Sequence, residues 1–537
     1  MSDAIATIAI SVNTPHVTKK PADVTDLHLS VNEFGNARTH LDLGRMVSDS
    51  LGVRINAAVE HQDSHINKVS GPRQFLSGAM VWKPTSDTTV DLDVEYEKRS
   101  RRFQPGLALT TSGELPPMPD SKTFLGQDWA QFETEATTVE ARLEHRLNPD
   151  WKVSLQANHF DMTRKNDWFG FGDIDGTTGD VATVMFWGSD DKYKSSSARL
   201  MAQGTLDTGS VKHRLAFGYD WAYSYFDWSK AVWNGDIGDT NLFNPVPLPP
   251  PAAGNSGGMS ETVRSGVFIQ DVLALGEKWD LHLGGRHATL DQQTDGYKKS
   301  TFTPSAALVF KPLANLSAYV SYVEGLEQGG MAPTGTTNAN QVMGPLVSKQ
   351  WETGLKGEVG LLNWEASLFQ LSKAAEYTSA TNTYVQSGDQ QHQGVELSLS
   401  GKVSREVTLY GGLMWLDAKL KETGDAATNG KRPPGVAEQR AVLTAEYAPA
   451  ALSGWTFMAN WTHTGKRAVN STNTAFAPAY DLFGVGLRHQ RKVAGHDTTF
   501  RLSVDNLFGK RYWANVADDF LIAGAPRTVW ASMSVKF

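Results

Sequence analysis

The residues able to do chemistry fall in a few short stretches. His61 and His65 stand four apart in HQDSH, and Asp173, Asp175 and Asp180 punctuate GDIDGTTGD. Either set raises the question of a metal. On a strand, residues four apart lie about 13 Å apart along one face, too far to share an ion, so the histidines read as surface or interior residues. The aspartates lack the twelve-residue ligand pattern of a calcium loop and read as a solvated loop tip. The chain has no Gly-rich phosphate loop, no GxSxG elbow and no HExxH, so an enzyme reading has no motif to stand on. It has no cysteine either, which excludes disulfides, thiolate chemistry and cysteine metal sites. No cofactor and no resident metal is expected. What remains is a set of cations and rings. Arg99, Arg101, Arg102 and Phe103 lie in RSRRFQP, Trp168, Phe169 and Phe171 in NDWFGFGD, and Trp228 and Trp233 further on.

The elements that must position these groups are strands. Leu27, Leu29 and Val31 alternate with polar partners, as do Val90, Leu92, Val94 and Tyr96, and again Val395, Leu397 and Leu399. The chain ends the same way, in RTVWASMSVKF. Val529, Ala531, Met533, Val535 and Phe537 share one face, while Thr528, Ser532, Ser534 and Lys536 share the other, with Trp530 the exception. That is the strand period of 2, and no stretch of helical spacing competes with it. A chain end frays unless something pairs with it, so the fold must use this terminal strand.

The connections carry more information than the strands, because they alternate in length. Short polar turns fall at 48–52, 83–87, 147–150, 207–211, 275–278, 311–315, 359–363, 401–405, 449–454 and 490–497. Between them lie connections at 33–37, 63–73, 99–131, 165–191, 228–259, 291–299, 325–346, 377–388, 420–436, 466–478 and 509–525, most of them long. All tight turns therefore lie at one end of a meander and all long loops at the other. A soluble sandwich has no reason for that polarity, whereas an outer-membrane barrel has periplasmic turns and extracellular loops. Ten turns and eleven loops join 22 strands, and closure pairs the last strand with the first. The predicted fold is all-β: a transmembrane antiparallel barrel of about 22 strands. The absence of an eighteen-residue apolar run and a mean hydropathy of −0.35 fit this, since lipid-facing and inward-facing residues cancel in any window. Girdles at the two interfaces account for the 16 Trp and 14 Tyr. The net charge of −8, with no basic stripe, argues against nucleic acid as a partner.

From about Thr18 to Phe537 the sequence resembles a TonB-dependent outer-membrane receptor of the siderophore-uptake group. The resemblance rests on several motifs in order. VTKKP stands at 17–21, TPSAALVFKPLANLSAYVSYVEG at 303–325 and VSKQWETGLKG at 347–357. QHQGVELSLSGKV follows at 391–403, FRLSVDNLFGKRYW at 500–513 and GAPRTVWASMSVKF at 524–537. It implies a ferric-siderophore receptor in the bacterial outer membrane, energised through TonB, with lipid and lipopolysaccharide around it, acting as a monomer. A passive porin-like channel and a non-functional truncated receptor are the alternatives.

A siderophore complex is compact, polar and often anionic, so the receptor mouth should offer rings and cationic donors. Candidate ligand contacts are therefore Arg101, Arg102, Phe103, Trp168, Phe169, Phe171, Trp228 and Trp233. The competing reading makes the aromatics girdle or loop-packing residues and the arginines a lipopolysaccharide contact. Val535 and Phe537 are expected to carry the signal for barrel assembly. The resemblance also implies an N-terminal plug of well over a hundred residues and a short box that touches TonB. Only about twenty residues precede the first strand here, and MSDAIATIAIS is a poor secretory signal. Residues 1–22 are thus expected to be a remnant of plug and junction, with the TonB contact region missing, and 23–537 the barrel. Gated uptake is not expected from such a chain alone.

Overall fold

The computed structural model describes residues 23–251, 257–294, 296–327, 329–333, 335–339, 341–379, 381–517 and 520–537; of Trp233 and Asn234 it describes the backbone only. Among these residues there is no helix. One antiparallel sheet holds 24 strands, of which two, Val232–Asp236 and Thr240–Asn241, are short additions to the outer end of the strand Asp180–Thr208. The other 22 close on themselves. Val24–Asn32 pairs with Thr528–Lys536 from Asp26↔Lys536 to Asn32↔Trp530. Closure leaves no edge to satisfy in lipid.

Turn chemistry explains the tight end. Val359 and Leu361 are joined through Gly360 alone, at φ 63°, a conformation that costs glycine nothing. Ala494 and Gly495 link two strands with both φ values positive, 50° and 88°, the geometry whose twist matches a hairpin. Tight turns recur at this end throughout, and the connections at the other end follow the expected alternation.

Several expected loops are in fact strand. The segment 165–191 is the outer part of a long hairpin, Trp151–Ile174 against Asp180–Thr208, paired as far as Ile174↔Val181. Much of 291–299 and 377–388 is likewise paired. Beyond the membrane both faces of a ladder meet water or other loops, so the apolar alternation stops while the hydrogen bonds continue. The pattern vanishes although the strand does not.

The two faces separate cleanly. Ile55 and Val59 are half exposed or more on the outer face, as are Leu200, Val267 and Leu368. Trp82 and Trp279, beside short turns, and Trp351 and Trp415, nearer the loop end, are exposed on the same face. They form the two aromatic girdles. The inner face is polar and cross-braced. Arg54 and Asp42, both buried, form a two-pronged pair with Nε–Oδ1 at 2.7 Å. Arg73 sits between Glu60 at 3.4 Å and Glu97 at 2.9 Å. Such pairs fix neighbouring strands, and removing one partner strands a buried charge at a cost of about 3–5 kcal/mol.

The seam resolves the exception in the last strand. Trp530 shares its face with Thr528, Ser532 and Ser534 and pairs with Asn32 and Ser503. It therefore points into the lumen near the loop end, where an aromatic has a different use from its lipid-facing neighbours. At the opposite end the Phe537 N–H donates to the Thr25 carbonyl at 2.8 Å, and its ring lies 4.8 Å from that of His496.

Candidate functional site

The mouth is built by loops that fold on one another. Leu107 and Leu521, more than four hundred residues apart, exchange two backbone hydrogen bonds of 2.9 Å. Arg511 donates to the carbonyls of Met118 and Pro119 at 2.5 and 2.8 Å. The Trp129 indole N–H donates to the Leu248 carbonyl at 2.9 Å, and the Gln127 amide oxygen accepts the Leu248 N–H at 2.9 Å. Beneath these ties lies an apolar core drawn from five separate outer segments, with Leu107, Phe169, Val184, Leu242, Val469 and Leu521 all buried in it. We call this assembly the cap.

The cap decides the fate of the predicted contacts. Phe169 is 1% exposed and Phe171 3%. The Phe169 ring lies 5.5 Å from Trp129, 5.4 Å from Phe186 and 6.4 Å from Phe103. Phe103 packs against the same core from its edge. The rings of Phe169 and Phe171 are occupied with packing. Arg102 clamps loops, with Nε to the Asp128 carbonyl at 3.3 Å and Nη1 to the Lys68 carbonyl at 3.1 Å. Trp168, on the opposite face of its strand from Phe169, stacks at 6.4 Å on Phe520 of the last loop. Trp233 pairs through its backbone with Trp187; its side chain lies outside the described residues.

Two predicted residues stay outside the cap core, Trp228 half-buried and Arg101 exposed. Trp228 lies 4.7 Å from Phe226, which stacks at 4.3 Å on Tyr193. Arg164 caps the series: its guanidinium stands 5.0 Å from the Tyr193 ring centre and donates to the Tyr193 hydroxyl at 2.6 Å, while Nε reaches Asp191 at 2.9 Å. Paired residues share a face of the sheet. Tyr193 and Phe226 are a direct pair, on the side opposite the lipid-facing Leu200 and Tyr219, so this column lines the lumen as it rises to the mouth. Sequence reading found its top, Trp228, and missed Phe226, Tyr193 and Arg164. The missing signal is the parity count from Leu200 back to Tyr193, which becomes visible only once the hairpin is known to be continuous strand.

Arg101 belongs to a second lumen-facing feature. A pocket of about 390 Å³ opens at the seam, lined by the first outer turn, the Gln62–His65 stretch, Arg101 and the two ends of the last loop. Trp530, Tyr512, Phe34 and His65 supply its rings, the last two 6.0 Å apart. Burial pushes the His65 imidazole below its ordinary range and keeps it neutral, and burial beside Tyr480 pushes the Tyr512 phenol up. Among the described residues no group of side chains is arranged to hold a metal ion.

Comparison with known proteins adds to this geometry. The family model described as TonB dependent receptor-like, beta-barrel, matches residues 81–507. The ferrichrome receptor FcuA of Yersinia enterocolitica is 27% identical over 540 residues, spanning 95% of this chain and 70% of that protein. The ferrioxamine B receptor of Salmonella typhimurium is 24% identical and spans 91% of this chain and 72% of its own length. Among solved structures, the ferric preacinetobactin receptor BauA of Acinetobacter baumannii superposes with a TM-score of 0.88 at 26% identity, covering 96% of this chain and 80% of that one.

Proposed function

The chain belongs to the TonB-dependent receptor-like β-barrel family, and from that premise we propose that it is an outer-membrane receptor for ferric siderophores, energised through TonB. The observation that carries the reading is the lumen-facing column of Trp228, Phe226, Tyr193 and Arg164 beneath a loop-built mouth. Rings give a chelate flat apolar contact, and Arg164, ion-paired with Asp191, fixes the Tyr193 ring at the head of the column. Its relatives include a ferrichrome receptor and a ferrioxamine B receptor, and its family places it in the bacterial outer membrane. We assign the surrounding lipid and lipopolysaccharide to its aromatic-belted outer face, and a monomer as its working unit.

We further assign residues 1–22, outside the described residues, to the end of the plug and its junction. Val535 and Phe537 we assign to the assembly signal, because the final strand closes the seam.

Two measurements test the function separately. Binding of radio-iron siderophores to outer membranes containing the chain tests the receptor. Growth on those siderophores in a receptor-deficient strain, with and without functional TonB, tests transport. The expected result is saturable binding by residues 1–537, and TonB-dependent growth once a plug is fused ahead of Val24. Membranes that bind none of a broad siderophore panel would refute the receptor; vigorous TonB-dependent growth from residues 1–537 alone would refute the division at residue 22.

A further inference from the structure

Resting on that receptor reading, we propose that the seam pocket receives a protonated amine carried by the ligand, held by Asp505 and Asp63 within a cage of rings. The pocket is acidic on balance. Two carboxylates, Asp63 and Asp505, and one guanidinium, that of Arg101, are among its lining groups. Arg101 is itself drawn aside, standing 5.9 Å over the ring of its cross-strand partner Phe132. His65, held neutral by burial, adds no positive charge.

Asp505 gives the pocket its direction. It is exposed, it shares the lumen face with Thr528, and among the described residues its carboxylate has no hydrogen-bond or ion-pair partner. The next residue shows the contrast. Asn506 holds the turn together, its amide donating to the carbonyls of Lys510 and Ala525 at 2.9 and 3.0 Å and accepting from the Lys510 N–H at 2.8 Å. The local fold is thus complete without Asp505. Asp63 keeps one oxygen on the Ser64 N–H at 3.0 Å and turns the other toward His61 at 4.0 Å. The amide oxygen of Gln62 is buried beside this pocket with no partner among the described residues, an acceptor left over for an incoming N–H.

Rings around a cation and carboxylates at its edge are the combination that selects an ammonium group. Trp530, Tyr512 and Phe34 supply the rings and Asp505 and Asp63 the charge, while an anionic arm would meet two like charges in the same space. A terminal primary amine on a flexible arm fits a partly apolar pocket of about 390 Å³ at the wall, with the metal-bearing body left in the lumen. The ligand class is therefore an amine-bearing iron chelate.

The test uses the full chain in detergent, with the amine arm alone as probe: N-acetylcadaverine, which keeps one ammonium, against its neutral diacetylated form. Saturation-transfer NMR is expected to show N-acetylcadaverine binding about tenfold tighter than the diacetyl compound, a difference of about 1.4 kcal/mol. Asp505→Asn should abolish that preference and Asp505→Glu keep it, with heat-modifiable mobility confirming a folded barrel. Asp63→Asn, as a second variant, should reduce it. Equal signals from the two probes, no signal from either, or an undiminished preference in folded Asp505→Asn would overturn the proposal. Because the probes contain no iron, those outcomes leave the siderophore reading to its own binding and growth assays.

Discussion

Two groups of outer loops are held by different forces. The cap is cemented by buried side chains such as Phe169, Leu242 and Leu521, each essentially without solvent contact. The loops at 329–345 and 376–386 are tied by polar bonds instead. Glu376 accepts the Gly330 N–H at 2.9 Å and the Gln386 amide at 2.7 Å, Asn338 exchanges bonds with the Tyr384 backbone at 2.8 and 2.9 Å, and Met331 is left 42% exposed. An apolar core lost to water costs several kcal/mol, whereas a hydrogen bond exchanged for water costs about 1 kcal/mol. The comparison teaches which aromatics are available. Rings in the cap are packed together, whereas Tyr193, Phe226 and Trp228 stay half-buried in the lumen column.

The largest expected effect falls on the barrel that carries both groups. Deleting the last three residues removes the Leu27↔Val535 and Asp26↔Lys536 pairs and the Phe537 contact with Thr25. Folded protein in outer membranes, scored by heat-modifiable mobility, should drop severely, with Phe537→Ala showing a milder loss. Normal levels in both would mean that the seam closes without its last residues. Next comes the cap. Phe169→Ala should cost about 3–5 kcal/mol of local stability, seen as rapid hydrogen exchange across 103–130 and 165–191 while barrel mobility is unchanged. If 329–345 loosened equally, the two loop groups would be one unit. Glu376→Ala should cost less, about 1–3 kcal/mol, and loosen only 329–345 and 384–386. Proteolysis of the cap in that variant would break the comparison. Arg511→Ala comes last, at about 1 kcal/mol, since its two bonds to carbonyls sit at a solvated edge; a modest rise in exchange near Met118 is the expected reading.

The barrel was legible in the sequence because lipid and closure impose rules on every strand. Val529, Ala531, Met533 and Val535 alternate since one side must be apolar, and the short turns carry the positive-φ residues that close a hairpin, such as Gly360, Ala494 and Gly495. The mouth was legible only in composition. Arg101, Phe169 and Trp228 share a character, ring or cation in an outer segment, yet one lines the seam, one is buried in the cap and one tops the lumen column. What separates them is contact between segments as distant as Leu107 and Leu521, and no local pattern encodes that. Tyr193 and Phe226 stayed hidden for a different reason. Their strands continue beyond the membrane, where the alternation that marks a strand is no longer enforced.

The central claim is that ligand is read on the lumen wall and not by the cap. Binding of radio-iron siderophore to outer membranes, compared between Trp228→Ala and the nearly volume-conserving Phe169→Leu, addresses it most directly. The expected result is about a tenfold loss of affinity, about 1.4 kcal/mol, for Trp228→Ala and near-native binding for Phe169→Leu. Native affinity in Trp228→Ala together with a tenfold loss in a folded Phe169→Leu would contradict the account.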